Sequence, residues 1–489
     1  MLFNCRSWSG HRQIVIALLI LSAFESALAQ NYAARTRQEI TVDDGEQLGL
    51  HQLNANTALL VSGVGSSFGI YRYNLANDRR ELLKAIVPRP LPEHLFGPDG
   101  PAFHTIDKLT FIDIGGRLYS TDGTVENTQF IRDFGVQFGG GNLAPFEESK
   151  IRRAHRTGKQ LLLSTNTSPV TDTGRFEVLK DLFISDGSPA GTQKIGSDFA
   201  RVSVMFSINN ETFFLGKKSE TDNIQIWQVI ENGTRLSKVL TTTLAEGGPI
   251  SLSLGRRGLV VSGDTAYFCL GNQLASFSNK RLNLTPTVVC GIEEGSGQHS
   301  FFEVNSSGVF IEQEGIFKLN TQTLEASIID ISSVSNQPAS IDIGCSTDDS
   351  LIFVLAEGDI GNQRFSLLSY NATSGLQHTG IVYRSGIVCL NDRVIVPTEN
   401  GFSIYKSDLN GLQPIRRTSN QLLDFTLNNE FNQFDDHTSI SVGDKIYALS
   451  RTYDNSPITR IVEISERGPL PNMAPIISEL LLEREKPGR

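Results

Sequence analysis

Residues 118–131 read LYSTDGTVENTQFI, and residues 182–195 read LFISDGSPAGTQKI. The two stretches share one frame: Leu, an aromatic, two intervening residues, Asp-Gly, a hydroxyl residue, three variable positions, Thr-Gln, and Ile two residues on. Leu118-Tyr119 and Leu182-Phe183 favour extended chain, and the Asp-Gly pair breaks each run. Asp closes an Asx turn on the backbone two residues ahead, and Gly accepts positive φ without a Cβ clash. Asp-Gly between apolar runs marks a β-hairpin. Asp122, Gly123, Thr124, Asp186, Gly187 and Ser188 are therefore read as turn chemistry. A calcium loop needs about six oxygens from a dense acidic run, and neither copy has one.

Outward from these copies, strand-turn-strand units with weaker turns recur at FGIYRYN (68–74), IQIWQVIENG (224–233), QLASFSNKR (273–281), GIFKLNTQT (315–323), RFSLLSYNATSG (364–375), GFSIYKSDLNG (401–411) and TRIVEISERG (459–468). Most follow another apolar strand and turn. The units recur about every 49 residues. A period near 40 to 50 with four short strands per unit is the pattern of propeller blades. The reading is an all-β chain forming a single β-propeller of about eight blades, with seven to nine allowed. A closed ring is favoured because an open array leaves edge strands unpaired. The boundaries drawn are a signal peptide at 1–29, an N-terminal lead at 30–45, the propeller at 46–467 and a C-terminal tail at 468–489.

The phrase resembles the ELWxxDGT repeat of bacterial secreted proteins. Arg117-Leu118-Tyr119-Ser120-Thr121-Asp122-Gly123-Thr124 with Asn127-Thr128 matches it, as does Asp181-Leu182-Phe183-Ile184-Ser185-Asp186-Gly187-Ser188 with Gly191-Thr192. Both copies replace the Trp with another aromatic and lose the leading Glu. The match covers about 30 residues of the 489. The resemblance implies an exported, propeller-like repeat protein and brings no catalytic residues with it.

Arg6, His11 and Arg12 precede an apolar run from Ile14 to Phe24, and Ala27-Leu28-Ala29 supplies the small residues of a signal-peptidase site. This predicts export to a secreted, periplasmic or extracellular location, with cleavage before Gln30. No later stretch reaches the 18 or so apolar residues of a membrane-spanning helix. Without residues 1–29 the chain has 41 basic residues (43 less Arg6 and Arg12) and 52 acidic (53 less Glu25), a net charge of −11. That opposes nucleic-acid binding. Four cysteines remain, Cys269, Cys290, Cys345 and Cys389. An even count in an exported chain allows two disulfides, and the pairs 269–290 and 345–389 are favoured over free buried thiols.

Two stretches break the rhythm. VPRPLPEHLFGPDGP (87–101) holds five prolines, and FGVQFGGGNLAPFEESK (134–150) is Gly-rich. Both read as connections between blades. Gly139-Gly140-Gly141 lacks the Lys and the following helix of a phosphate loop. No nucleophile elbow, HExxH or dinucleotide fingerprint occurs, and no cofactor is predicted.

His51, His104, His155, His299 and His437 fall on or near the strands read as innermost, with Asp107, Asp435 and Asp436 nearby. Several imidazoles converging on the channel could hold a metal, with polar inner strands as the plain alternative. RRAHRTGK (152–159), with Lys150 just before it, is the one dense basic run, suited either to anionic polysaccharide or to a solvated strand edge. Trp227 is the single Trp after residue 29, which argues against a Trp-lined sugar cleft.

These readings point to an exported binding protein that contacts protein or polysaccharide by its loops, without catalysis. The competing classes are a channel-sited hydrolase or lyase, metal-dependent if the histidines converge, and a structural module of a surface layer.

Overall fold

The computed structural model describes residues 32–41, 49–64, 67–86, 101–139, 146–149, 151–166, 179–219, 221–242, 259–270, 273–286, 290, 301–312, 315–332, 340–357, 364–383, 388–390, 392–398, 401–408, 411–417, 439–442, 445–451 and 458–466. They form nine four-stranded antiparallel sheets and one two-stranded hairpin. The sheets are the blades of a propeller. Blades 1 to 8 span residues 49–86, 102–133, 151–199, 201–241, 259–286, 301–328, 340–383 and 388–417, each in simple up-and-down order. Blade 9 takes three strands from residues 439–466 and its fourth from Tyr32–Thr41. Nine blades is one more than the central expectation and within the range read from the repeats.

The ninth blade joins the two ends of the chain. Tyr32–Thr41 pairs antiparallel with Ile458–Glu466, from Tyr32 opposite Glu466 to Thr41 opposite Ile458. The stretch read as a lead thus supplies the outermost strand of the last blade. The hairpin is a second difference. Val136–Gly139 pairs with Phe146–Ser149 inside the Gly-rich segment read as a plain connection. Its arms, VQF and FEE, are strand-like on either side of a Gly-rich turn signal. Residues 1–31, 87–100, 140–145 and 467–489 lie outside the described residues.

The burial pattern follows from stacking sheets face to face around an axis. A second strand has a blade on either side, so both its faces must be apolar. Thr57–Val64 contains Ala58-Leu59-Leu60-Val61, all fully buried. Leu59 and Val61 pack with Phe103, Ile112 and Tyr119 of blade 2, whereas Ala58 and Leu60 pack with Ile440, Tyr447 and Ile461 of blade 9. The pleat sends alternate residues to opposite seams. Analogous apolar seams join blades 2 and 3, 3 and 4, 4 and 5, 5 and 6, 6 and 7, and 7 and 8. Between blades 4 and 5 the seam is a cluster of Phe206, Phe213, Phe268 and Phe277, with edge-on and stacked rings. Fourth strands lie at the rim, where Leu82, Phe130 and Ile328 are exposed.

First strands lie nearest the axis and touch those of neighbouring blades. In such a blade the turns joining strands one to two and three to four fall at one end. The turns joining two to three and the crossovers to the next blade fall at the other. The Asp-Gly turns belong to the first face. The last strands of blades 1 and 2 end, and the first strands of blades 2 and 3 begin, at the second.

Candidate functional site

The two Asp-Gly turns are built alike. Asp122 Oδ1 accepts from the Thr124 amide at 2.9 Å and the Thr124 hydroxyl at 2.7 Å, and Asp122 Oδ2 accepts from Asn127 Nδ2 at 2.7 Å. Burial alone would raise the Asp122 carboxyl. The hydrogen bonds from Thr124 and Asn127 outweigh it and hold the group below the ordinary carboxylate range. In the second copy Asp186 Oδ1 accepts from the Ser188 amide and hydroxyl, both at 2.8 Å. Thr121 bonds Thr128 at 2.6 Å, and Ser185 bonds Thr192 at 2.7 Å, across the base of each turn. Gly123 and Gly187 have φ of 90° and 93°.

These turns also join blades. A Cβ on Gly123 would lie 2.1 Å from Leu53 Cδ2 of blade 1, and one on Gly187 would lie 2.2 Å from Leu109 Cδ2 of blade 2. The glycine carbonyls face the preceding blade as well. Gly187 O accepts from Ser120 Oγ at 2.6 Å and Gln129 Nε2 at 2.8 Å, and Gly123 O accepts from Arg72 at 3.3 Å. Gly233 in blade 4, with φ of 92°, backs onto Gln160 and Ile184 of blade 3 in the same way. The Asp-Gly phrase is therefore a docking element between blades. The cross-blade donors Ser120 and Gln129 were not identified from sequence, although Thr-Gln recurs in both copies.

His51, His104 and His155 occupy one register position on the first strands of blades 1, 2 and 3, opposite Leu59, Phe111 and Leu162. His51 Nε2 bonds the Thr105 hydroxyl of blade 2 at 2.7 Å, and His155 Nε2 bonds the Ser207 hydroxyl of blade 4 at 2.8 Å. Each hydroxyl is backed by a second-strand threonine, Thr110 at 3.0 Å and Thr212 at 2.9 Å. His51 also stacks on Phe103. Burial pushes both imidazoles down to about 4, so they are neutral at neutral pH. His104 is likewise engaged. His299, His437, Asp435 and Asp436 lie outside the described residues. Among the described residues no three metal-capable side chains converge. His51 and His155 tie blades together.

Both favoured cysteine pairs are disulfides. Cys345–Cys389 links the first strands of blades 7 and 8, and Cys269–Cys290 ties the second strand of blade 5 to its exit. Cys290 is buried with Phe302 and Val309 of blade 6. The basic run forms the first strand and turn of blade 3. Arg156 pairs with Asp107 of blade 2 at 3.1 Å, and both are exposed. A shallow cavity of about 240 Å³ lies between blades 4 and 5, with Phe213 and Phe277 beside Glu211, Asn279 and Lys280. It is below the roughly 300 Å³ at which small-molecule sites begin. Lys280 bonds Glu211 at 2.9 Å across that seam and holds its carboxyl below the ordinary range.

No protein-family profile matches this chain, and no curated protein matches it. Among solved structures it is similar to an oligogalacturonate lyase in complex with manganese, at 12% identity and a TM-score of 0.33 over 89% of this chain and 96% of that one. An oligogalacturonate lyase from Vibrio parahaemolyticus is 10% identical, with a TM-score of 0.36 over 88% of this chain and 98% of that one. Sqt1 of Saccharomyces cerevisiae is 11% identical, with a TM-score of 0.36 over 89% and 100%. Likenesses at this level carry no statement about activity. The chain is an all-β propeller by its own sheets and seams, with nine four-stranded sheets among the described residues.

Proposed function

We propose that this chain is an exported, non-catalytic binding protein of the ELWxxDGT-repeat kind, which contacts protein or polysaccharide through the loops of a rigid ring. The observation that carries this reading is the use made of the inner-strand histidines. Nε2 of His51 and of His155 is committed to a hydroxyl of the next blade, and both rings are held neutral by burial. Two of the residues that a channel enzyme could use as ligands or acid-base groups serve here to join sheets. The crossover connections of such a ring gather on one face, and loops on a rigid scaffold are where binding residues concentrate.

One further observation supports export. The chain carries two disulfides, which persist in oxidising compartments. Among the described residues no helix is long and apolar enough to cross a membrane. The test is a binding screen of residues 30–489, produced in an oxidising compartment, against immobilised polysaccharides and cell-surface proteins. Products of each polysaccharide incubation are assayed for new reducing ends and unsaturated ends, with and without a chelator. Saturable binding without turnover is expected. Turnover abolished by chelation would overturn the reading in favour of a metal-dependent hydrolase or lyase.

A further inference from the structure

The fold divides the basic run RRAHRTGK into separate fates. Arg156 is spent on Asp107, and His155 on Ser207. Arg153 is different. It lies on the first strand of blade 3, just after a bulge between Ile151 and Arg153, at the end of the strand away from the short turn at 158–159. It stands directly opposite Ser164. Ser164 shares a strand face with Leu162, which packs against Phe199, Val202 and Phe214 at the seam between blades 3 and 4. Arg153 therefore leaves its sheet towards that seam, near the axis and towards the crossover face.

Arg153 is half-buried, and its side chain makes no hydrogen bond, ion pair or ring contact among the described residues. Burial alone acts on its guanidinium, pushing it down to about 10, with no carboxylate to offset the loss of water. Across the strand pair, the Ser164 hydroxyl is also buried without a hydrogen-bond partner. The guanidinium keeps some access to solvent, and a fully buried hydroxyl lies across from it on the same face of the strand pair. A desolvated cation without a partner costs stability unless something else supplies the counter-charge. A guanidinium offers a planar fork that fits two oxygens of one oxyanion.

We propose that Arg153 forms an anion site at the inner end of the seam between blades 3 and 4 that takes a carboxylate or sulfate group of an acidic ligand. This deepens the binding reading by naming the ligand's chemistry, and it rests on that reading only for the ligand being a polymer. The site predicts a trade between stability and binding. Removing the charge should relieve the empty protein while abolishing the response to anions.

The experiment uses residues 30–489 with disulfides formed, and compares wild type, Arg153→Met and Arg156→Met. Melting temperature is followed while sodium sulfate is titrated against sodium chloride at matched ionic strength. Sulfate raises every variant slightly by exclusion from the surface, without saturating. Wild type and Arg156→Met should add a saturable rise of several degrees at millimolar sulfate. Arg153→Met should lose the saturable part and, in chloride alone, melt no lower than wild type. A sulfate response in Arg153→Met equal to wild type overturns the site, as does a lower melt in chloride, which would make Arg153 structural.

Should Arg153→Met fail to fold, Arg153→Lys keeps the charge without the fork and should bind sulfate more weakly. Sulfate affinity equal to wild type in that variant would overturn the assignment. Dextran sulfate and neutral dextran columns distinguish the source of the anion. Retention on dextran sulfate that depends on Arg153 places the group on a polymer. An Arg153-dependent sulfate response without retention assigns a free oxyanion, and retires the polysaccharide part of the proposed function rather than the site.

Discussion

Gly187→Ala is expected to loosen the seam between blades 2 and 3, and the structure sets the size of the effect. Gly187 sits at φ of 93°, where a Cβ costs on the order of 1 kcal/mol. The added methyl would lie 2.2 Å from Leu109 Cδ2 and 3.6 Å from Phe111 Cζ. Phe111 is fully buried, so the strain falls on a packed seam, and overpacking of this kind costs about 1–3 kcal/mol. Together the two effects predict a loss of about 2–4 kcal/mol.

Gly158→Ala is the control. It has φ of 57° with nothing within 4 Å of its would-be Cβ, so the backbone cost of about 1 kcal/mol stands alone. Urea unfolding followed by Trp227 fluorescence suits the comparison. Trp227 is the single Trp of residues 30–489, and it packs against Phe199 and Phe214 at the seam between blades 3 and 4. Leu109→Ala combined with Gly187→Ala should recover part of the loss, because the truncated side chain makes room for the methyl. A coupling of at least ~1 kcal/mol is expected for groups in direct contact. Equal midpoints for Gly187→Ala and Gly158→Ala, or strict additivity with Leu109→Ala, would refute the docking role of the turn.

Three further outcomes are expected. Ser120→Ala leaves the Gly187 carbonyl with Gln129 as its cross-blade donor, and should cost ~1 kcal/mol in the same urea assay; no change would mean the bond contributes nothing. Replacing both cysteines of the 345–389 pair, separated by 44 residues, should cost about 4 kcal/mol by the loop-entropy estimate, and the 269–290 pair, separated by 21, about 3 kcal/mol; midpoints unchanged by these replacements would contradict a stabilising role. The histidines make stability acid-sensitive. With folded values near 4 against an ordinary 6.5, His51 and His155 contribute fully above pH 6.5, and the contribution is lost as pH falls towards 4 because the unfolded chain binds protons first. The loss is up to ~3 kcal/mol per histidine. His51→Gln with His155→Gln should flatten urea midpoints between pH 7 and 4.5, and a slope parallel to wild type would argue against buried neutral imidazoles.

What could be read in advance was local. Asp122-Gly123 and Asp186-Gly187 announce their turns because the rule that produces them operates within three residues. Leu53 and Leu109, against which those glycines rest, lie 70 (123 less 53) and 78 (187 less 109) residues earlier, and no local pattern marks them. The blade count was blurred for a related reason: the third-to-fourth-strand turn is solved by different chemistry around the ring. Blades 1, 6 and 7 use an Asn that ends the third strand. Asn74, Asn320 and Asn371 Oδ1 each accept from the amides two and three residues ahead. Blade 5 uses Asn279 and Lys280, both at positive φ. The pairing of Tyr32–Thr41 with Ile458–Glu466 spans over 400 residues and is visible only in the structure. Histidines on the innermost strands were legible from their place before a turn. That they bond Thr105 and Ser207 was not, since a hydroxyl partner leaves no pattern in the chain.

The third-to-fourth-strand turns bond the preceding blade at several seams of the ring, with different groups in each. Where the docking glycine is present, at blades 2, 3 and 4, a blade is keyed onto its predecessor by a close backbone approach, with carbonyl bonds at blades 2 and 3 and histidine bridges alongside. The Asn-type turns of blades 6 and 7 also bond the preceding blade: Thr321 O accepts from the Tyr267 hydroxyl of blade 5 at 3.4 Å, and the Ala372 amide donates to Ser307 Oγ of blade 6 at 3.0 Å. The later seams carry further ties. Ser306 and Ser307 reach Asp348 and Asp349 between blades 6 and 7, Thr347 bonds Ser407 between blades 7 and 8, and the disulfides stand at the exit of blade 5 and between the first strands of blades 7 and 8. In an array of repeats, stability is close to a sum over neighbouring interfaces, and a closed ring opens first at its weakest one. A binding surface assembled from loops of several blades keeps its geometry only while every seam holds. The disulfides and serine bonds of blades 5 to 8 therefore add to turn contacts of the kind that Gly123 and Gly187 make in blades 2 and 3.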